Sequence, residues 1–314
     1  MSIDRQPPAA ALSRLPPECP PGGRGWCAAA ACILEATAPK PGNVHPGASF
    51  ADLDYDDLVA AGLAIAPAVE RAARQPLGRT ILAAVRASRS MTRSNANLGI
   101  VLLIAPLAAA DTPRDVDRVL ERLTVADAAD VWQAIAEAMP GGMGTSDRDD
   151  LRGPAPTDLR QAMRLAAPHD TIARLWAEGY ADLLAGPVRD LAGELAAGVP
   201  LLDAIVRCQL QQLAREPDTL IARRHGTAAA MDVSRAAADV LAAGGDWREA
   251  VVRFDATLRA PRRLNPGTTA DLVAAALYIL LLGSDGRLSF AAPPPAPHCH
   301  SHREFPMPSL TVEN

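Results

Sequence analysis

The chain has 314 residues, 49% of them apolar and only 4% aromatic, with 31 lysines and arginines against 36 aspartates and glutamates for a net charge of −5. That length supports one large core, and abundant alanine and leucine with few β-branched runs bias the backbone toward helix rather than sheet. The mild acidity, with no basic block interleaved with aromatics, argues against a nucleic-acid groove.

Residues 1–22 are polar and proline-rich, without a basic-then-apolar leader pattern, and read as a disordered tail. Residues 291–314, opening near Pro293-Pro294-Pro295, read the same way. Between them, residues 23–290 are expected to form one all-α, bundle-like domain of roughly ten to twelve helices. Apolar residues recur at helical spacing, as in Leu58, Leu63 and Ile65, then Leu77, Ile81, Leu82 and Val85. The pattern predicts helices over 24–37, 54–74, 77–90, 96–110, 114–122, 127–138, 157–166, 170–185, 187–197, 200–214, 218–243, 246–259 and 267–283. Asp170, Asp218 and Thr268 each stand at a helix start, where a side-chain oxygen caps free N–H groups. The stretch from Pro140 to Pro156 is the long internal loop, a lid or binding element by its length. The apolar runs Ile100 to Ala110 and Leu272 to Gly283 fall short of the roughly 20 residues that span a bilayer. With five scattered cysteines and no CxxC pair, the chain is expected in a reducing cytoplasm, away from membranes.

Polar motifs interrupt the helical pattern at four places. The first, Thr37 to Gly47, holds prolines at 39, 41 and 46 that fix φ while Lys40, Asn43 and His45 project; a cation, an amide and an imidazole suit a nucleotide phosphate. Glu35 precedes it. The second, Asn95-Ala96-Asn97-Leu98-Gly99, sets two amides ahead of an apolar helix whose N-terminal dipole favours anions. In the third, Asp218 through Arg223 and Arg224, the carboxylate can ligate Mg2+ or take a proton and the arginines can reach phosphates. The fourth, Asn265-Pro266-Gly267-Thr268-Thr269-Ala270-Asp271, buries an acid in the first turn of an apolar helix, a costly place without a cation or donors. Each motif also has a purely structural account, as a turn, a cap or a solvated face. Their shared form is that of a site at one end of a helical bundle.

On these residues the chain resembles the triphosphoribosyl-dephospho-CoA synthase family. The matching motifs are Glu35-x-x-x-Pro39-Lys40-Pro41-Gly42-Asn43-Val44, Asn95-x-Asn97-x-Gly99, Asp218-Thr219-x-Ile221-x-Arg223 and Asn265-Pro266-Gly267-Thr268-Thr269-Ala270-Asp271-Leu272, in family order. The resemblance implies an all-α transferase of the glycosyl (EC 2.4.2-like) type that converts ATP and dephospho-CoA to the 2′-triphosphoribosyl adduct and adenine. Such chemistry calls for Mg2+ with ATP, cations on the triphosphate and a carboxylate at the acceptor hydroxyl. It points to Asp218, Asp271 and Glu35 as candidate bases, Asp218 and Asp271 on Mg2+, Lys40 and Arg223 on phosphates, and Asn43, His45, Asn95, Asn97, Asn265 and Thr268 on the nucleotide. Gly141 to Asp150 and His169 to Arg174 depart from the citrate-lyase-type pattern, where the acceptor pocket is expected.

That departure keeps open a related ribosyl transfer onto a pterin precursor of methanopterin-type one-carbon metabolism. A noncatalytic helical scaffold is the other alternative, and homo-oligomerisation is left open. The tail motif His298-Cys299-His300-x-His302 has metal-ligand chemistry but no scaffold to fix geometry, so adventitious binding is expected there.

Overall fold

The computed structural model of the chain describes residues 19–92, 96–138, 154–284 and 286. The C-terminal His/Cys motif and most of the loop from Pro140 to Pro156 lie outside the described residues. Fourteen α-helices of at least 6 residues and no strand occur among them, in the order α1 (Arg24–Thr37), α2 (Tyr55–Glu70), α3 (Leu77–Met91), α4 (Leu98–Ala109), α5 (Val116–Glu121), α6 (Val125–Ala138), α7 (Leu159–Ala166), α8 (Thr171–Glu178), α9 (Arg189–Ala196), α10 (Leu201–Arg215), α11 (Thr219–His225), α12 (Thr227–Ala242), α13 (Trp247–Arg259) and α14 (Gly267–Gly283). This exceeds the ten to twelve expected from periodicity, because glycine cuts runs that apolar spacing alone joins. Gly226, at φ +90, separates α11 from α12 inside the predicted 218–243 helix, and Gly179, at φ +96, ends α8 inside the predicted 170–185 helix.

Two helices form the axis of the core. In α4 every residue from Ile100 to Ala108 is buried, and α14 is buried along nearly its whole length from Thr268 to Tyr278. A helix apolar on all sides must be enclosed by others. Accordingly α14 packs against α1, α4, α10 and α11, while α1, α2 and α3 pack in succession and α3 continues onto α6.

A proline fixes one of these contacts. Pro106 inside α4 has no N–H to give the Leu102 carbonyl four residues earlier. The buried Trp176 of α8 fills the vacancy, its Nε1 donating to Leu102 O at 3.0 Å, with the Tyr180 hydroxyl at 3.4 Å. Side chains of α8 are thereby tied to α4, which sets the start of α8 beside the start of α4. No helix among the described residues is long and apolar enough to cross a membrane.

Candidate active site

The N-terminal ends of α4, α8, α11 and α14 meet at one end of the bundle. Ile172, in the first turn of α8, and Asp271, in the first turn of α14, both stand against Gly99 in the first turn of α4. A Cβ placed on Gly99 would lie 2.6 Å from Asp271 Cγ and 2.9 Å from Ile172 Cδ1. Glycine at 99 is therefore what lets the Asp271 carboxylate approach this helix start. The Thr171 N–H reaches Thr219 Oγ1 at 3.4 Å, and the Thr219 hydroxyl donates to Thr268 Oγ1 at 3.2 Å, linking α8, α11 and α14.

Four carboxylates gather here with different partners. Asp218, 3% exposed, caps α11 by accepting from Ile221 N at 3.0 Å and takes both the N–H and the hydroxyl of Thr269 at 2.8 Å each. Burial pushes its pKa up, against the pull of these donors. Asp170 caps α8 through Ala173 N at 3.0 Å and holds Arg223 at 3.1 Å. Glu35, at the end of α1, pairs with Lys40 at 2.8 Å, and the Lys40 ammonium also donates to the Glu35 carbonyl; Lys40 is fully buried.

Asp271 differs from the other three: its carboxylate has no hydrogen-bond or ion-pair partner among the described residues. It is closely surrounded yet only half-buried. Burial, followed by the charges of Glu35, Asp218 and Asp170, drives its pKa well above the usual carboxylate range, with Arg223 opposing. The same environment pushes the Cys32 thiol up, again by burial first and then by Glu35 and Asp271.

The loop after α1 forms the adjoining wall. The Asn43 side chain, 6% exposed, donates to Asn265 Oδ1 at 2.7 Å and accepts from Gln209 Nε2 at 2.5 Å, and Gln209 also reaches Pro41 O at 3.2 Å. Gly42 N–H donates to Asp255 Oδ1 at 2.7 Å, and Arg259 of α13 bonds both Asp255, at 2.7 Å, and the Asn43 carbonyl, at 2.5 Å. His45 Nδ1 accepts from Gly47 N–H at 3.2 Å; burial and then Arg259 lower its pKa, favouring neutral imidazole. Asn97 precedes α4 with its Oδ1 accepting from Ser88 at 2.7 Å and its buried Nδ2 without an acceptor.

Of the residues singled out in the sequence, Glu35, Lys40, Asn43, His45, Asn97, Asp218, Arg223, Asn265, Thr268 and Asp271 thus lie in one connected region, and Asn95 lies outside the described residues. Within it, Asn43, Asn265 and Lys40 are engaged in holding the loop, Asp218 in holding two helix starts, and Asp271 and Asn97 keep unused polar atoms. Gln209, Asp255 and Arg259 lie outside the four sequence motifs. A glutamine on the buried face of α10 is a signal that burial alone reveals, and an Asp/Arg pair four apart on α13 looks like an ordinary surface pair. Among the described residues no three His, Cys, Asp or Glu side chains are grouped to hold a metal ion.

Residues 23–290 match the family model CitG, described as ATP:dephospho-CoA triphosphoribosyl transferase. A crystal structure from Archaeoglobus fulgidus, provisionally assigned as a triphosphoribosyl-dephospho-CoA synthase, shares the fold at 23% identity and a TM-score of 0.56, over 73% of this chain and 97% of that one. None of the curated proteins compared with the chain matches it.

Proposed function

From the premise that the chain belongs to the ATP:dephospho-CoA triphosphoribosyl transferase family, we propose that it joins the ribose C1′ of ATP to the 2′-hydroxyl of dephospho-CoA and releases adenine. The C1′–O bond forms as the C1′–N9 bond of ATP breaks. The hydroxyl proton leaves through a base, and adenine departs with a proton, so ATP and dephospho-CoA balance the adduct and adenine.

The observation that supports this reading is Asp271, an unpartnered carboxylate with a raised pKa where helix starts converge. A base whose pKa lies toward the working pH is best suited to accept the hydroxyl proton. Asn97 Nδ2, buried without an acceptor, is an unused donor in the same region. Asp218 and the Lys40–Glu35 pair act as positioning groups, since their polar atoms already have partners.

Mg2+ is read here as part of the substrate, Mg-ATP. An ion carried on phosphates and water needs only one or two protein carboxylates. The unpartnered Asp271 is free for that need only if another group takes the hydroxyl proton, since a metal-bound carboxylate is held ionised; Asp218, with its oxygens taken by three donors, fits it poorly.

The test is chromatography of free adenine after incubation with Mg-ATP, with and without dephospho-CoA, and mass analysis of the adduct. Adenine release that requires dephospho-CoA is expected. No adenine in its presence overturns the reading.

A further inference from the structure

Beyond the carboxylates, arginines crowd the surface formed by α11, the end of α13 and the segment following His45. Arg263 adopts φ +50, an uncommon backbone state for a residue other than glycine. In that state its guanidinium lies 3.9 Å from the Phe50 ring centroid and pairs with Asp52 at 2.6 Å. Arg259 stands over the same ring at 5.6 Å. Arg263 Nε and Arg259 Nη1 are both enclosed without an acceptor among the described residues.

Arg224 adds a further positive charge. It is exposed and makes no ion pair with any described residue, unlike Arg223 on Asp170, Arg259 on Asp255 and Arg263 on Asp52. Burial of its stem and the charges of Arg223 and Arg263 lower its pKa, while Asp52 and Asp218 oppose them. Of the four arginines named, three are matched by acids and Arg224 is not; Arg262, exposed beside Arg263, likewise has no ion pair among the described residues. The Asp52 side chain is 66% exposed, so its pairing with Arg263 is readily exchanged for another anion.

We propose that Arg224 and Arg263 form a polyphosphate-binding subsite, and that Asp52 is the intramolecular anion that a polyphosphate displaces. The planar guanidinium groups suit bidentate contact with phosphate oxygens. Taken with the proposed reaction, on which this extension rests, the polyphosphate is the triphosphate of ATP or the diphosphate of dephospho-CoA.

Calorimetric titration of the full chain with inorganic tripolyphosphate tests the subsite directly. Arg224→Ala should weaken binding about tenfold or more, and Asp52→Asn should tighten it several-fold because the competing anion is neutralised. Arg114→Ala, an exposed charge on another segment, serves as the control. Unchanged binding in Arg224→Ala, or weaker binding in Asp52→Asn with an unaltered Tm, overturns the proposal. In the adenine assay, a rise in KM for Mg-ATP alone assigns the subsite to the triphosphate, and a rise for dephospho-CoA alone assigns it to the diphosphate. A rise in neither overturns it. Tripolyphosphate binding that depends on Arg224 in a protein that releases no adenine would keep the subsite and reject the proposed reaction.

Discussion

Asp218 and Asp271 look alike as letters, each an aspartate beside threonines at a helix start, and separate only by what touches them. Asp218 is met by three donors, so Asp218→Ala should lower stability by about 2–3 kcal/mol through loss of a cap and an inter-helix link, read as a fall in Tm. Asp271 has no such partner, so Asp271→Asn should leave Tm unchanged or higher while cutting adenine release at least about 100-fold. The pH dependence of stability separates them further. Because the folded-state pKa of Asp271 is raised, the native chain keeps that proton where the unfolded chain has lost it. Its contribution is complete below the ordinary carboxylate pKa of about 3.9 and is lost as pH rises through the raised value, at no more than about 1.4 kcal/mol per pH unit. Tm measured against pH should therefore show the Asn variant gaining on the wild type from acid toward neutral; parallel curves would mean an ordinary carboxylate. Lys40 makes the opposite point: a lysine in a Pro/Gly loop reads as a solvated phosphate ligand, yet it is fully buried on Glu35. Lys40→Met strands a buried carboxylate and should cost about 3–5 kcal/mol, with much of the loss recovered when Glu35→Leu is added, as measured by chemical denaturation.

At the scale of elements, the apolar composition of α4 and α14 was enough to place them inside the molecule, since neither has a polar face to turn to water. Helix ends were less legible. The periodicity of 218–243 continues through Gly226, and only the backbone at φ +90 reveals two helices in place of one. The α4 to α8 tie is readable in hindsight as a proline that removes a donor, but its partner, Trp176, lies 74 positions from Leu102. Trp176→Phe should cost about 1–3 kcal/mol in the wild type, because Leu102 O then keeps only the long bond from the Tyr180 hydroxyl inside the core. In a Pro106→Ala background, where residue 106 again supplies an N–H, the same change should cost less. A double-mutant cycle on unfolding free energies with no coupling between the two positions would sever that explanation.

Over the whole molecule, the candidate site draws on segments from Glu35 to Asp271 and exists only when all of them are packed. A ligand that binds it therefore favours the native state alone. Mg-ATP at about 100 times its Kd should add about 2.7 kcal/mol, seen as a rise in Tm, whereas a noncatalytic scaffold would not respond. The amino-acid sequence by itself determined the all-α class, the buried axis and the polar segments that interrupt it, because propensity, apolar period and the polar interruptions are local properties of the chain; that those segments converge was decided by packing. Which of those polar residues remain available for chemistry was decided by the tertiary structure. Lys40, Asn43 and Asp218 find partners up to 222 positions away, while Asp271 and Arg224 find none among the described residues. Burial and hydrogen-bond satisfaction depend on neighbours brought together across the bundle, and no local spacing encodes them.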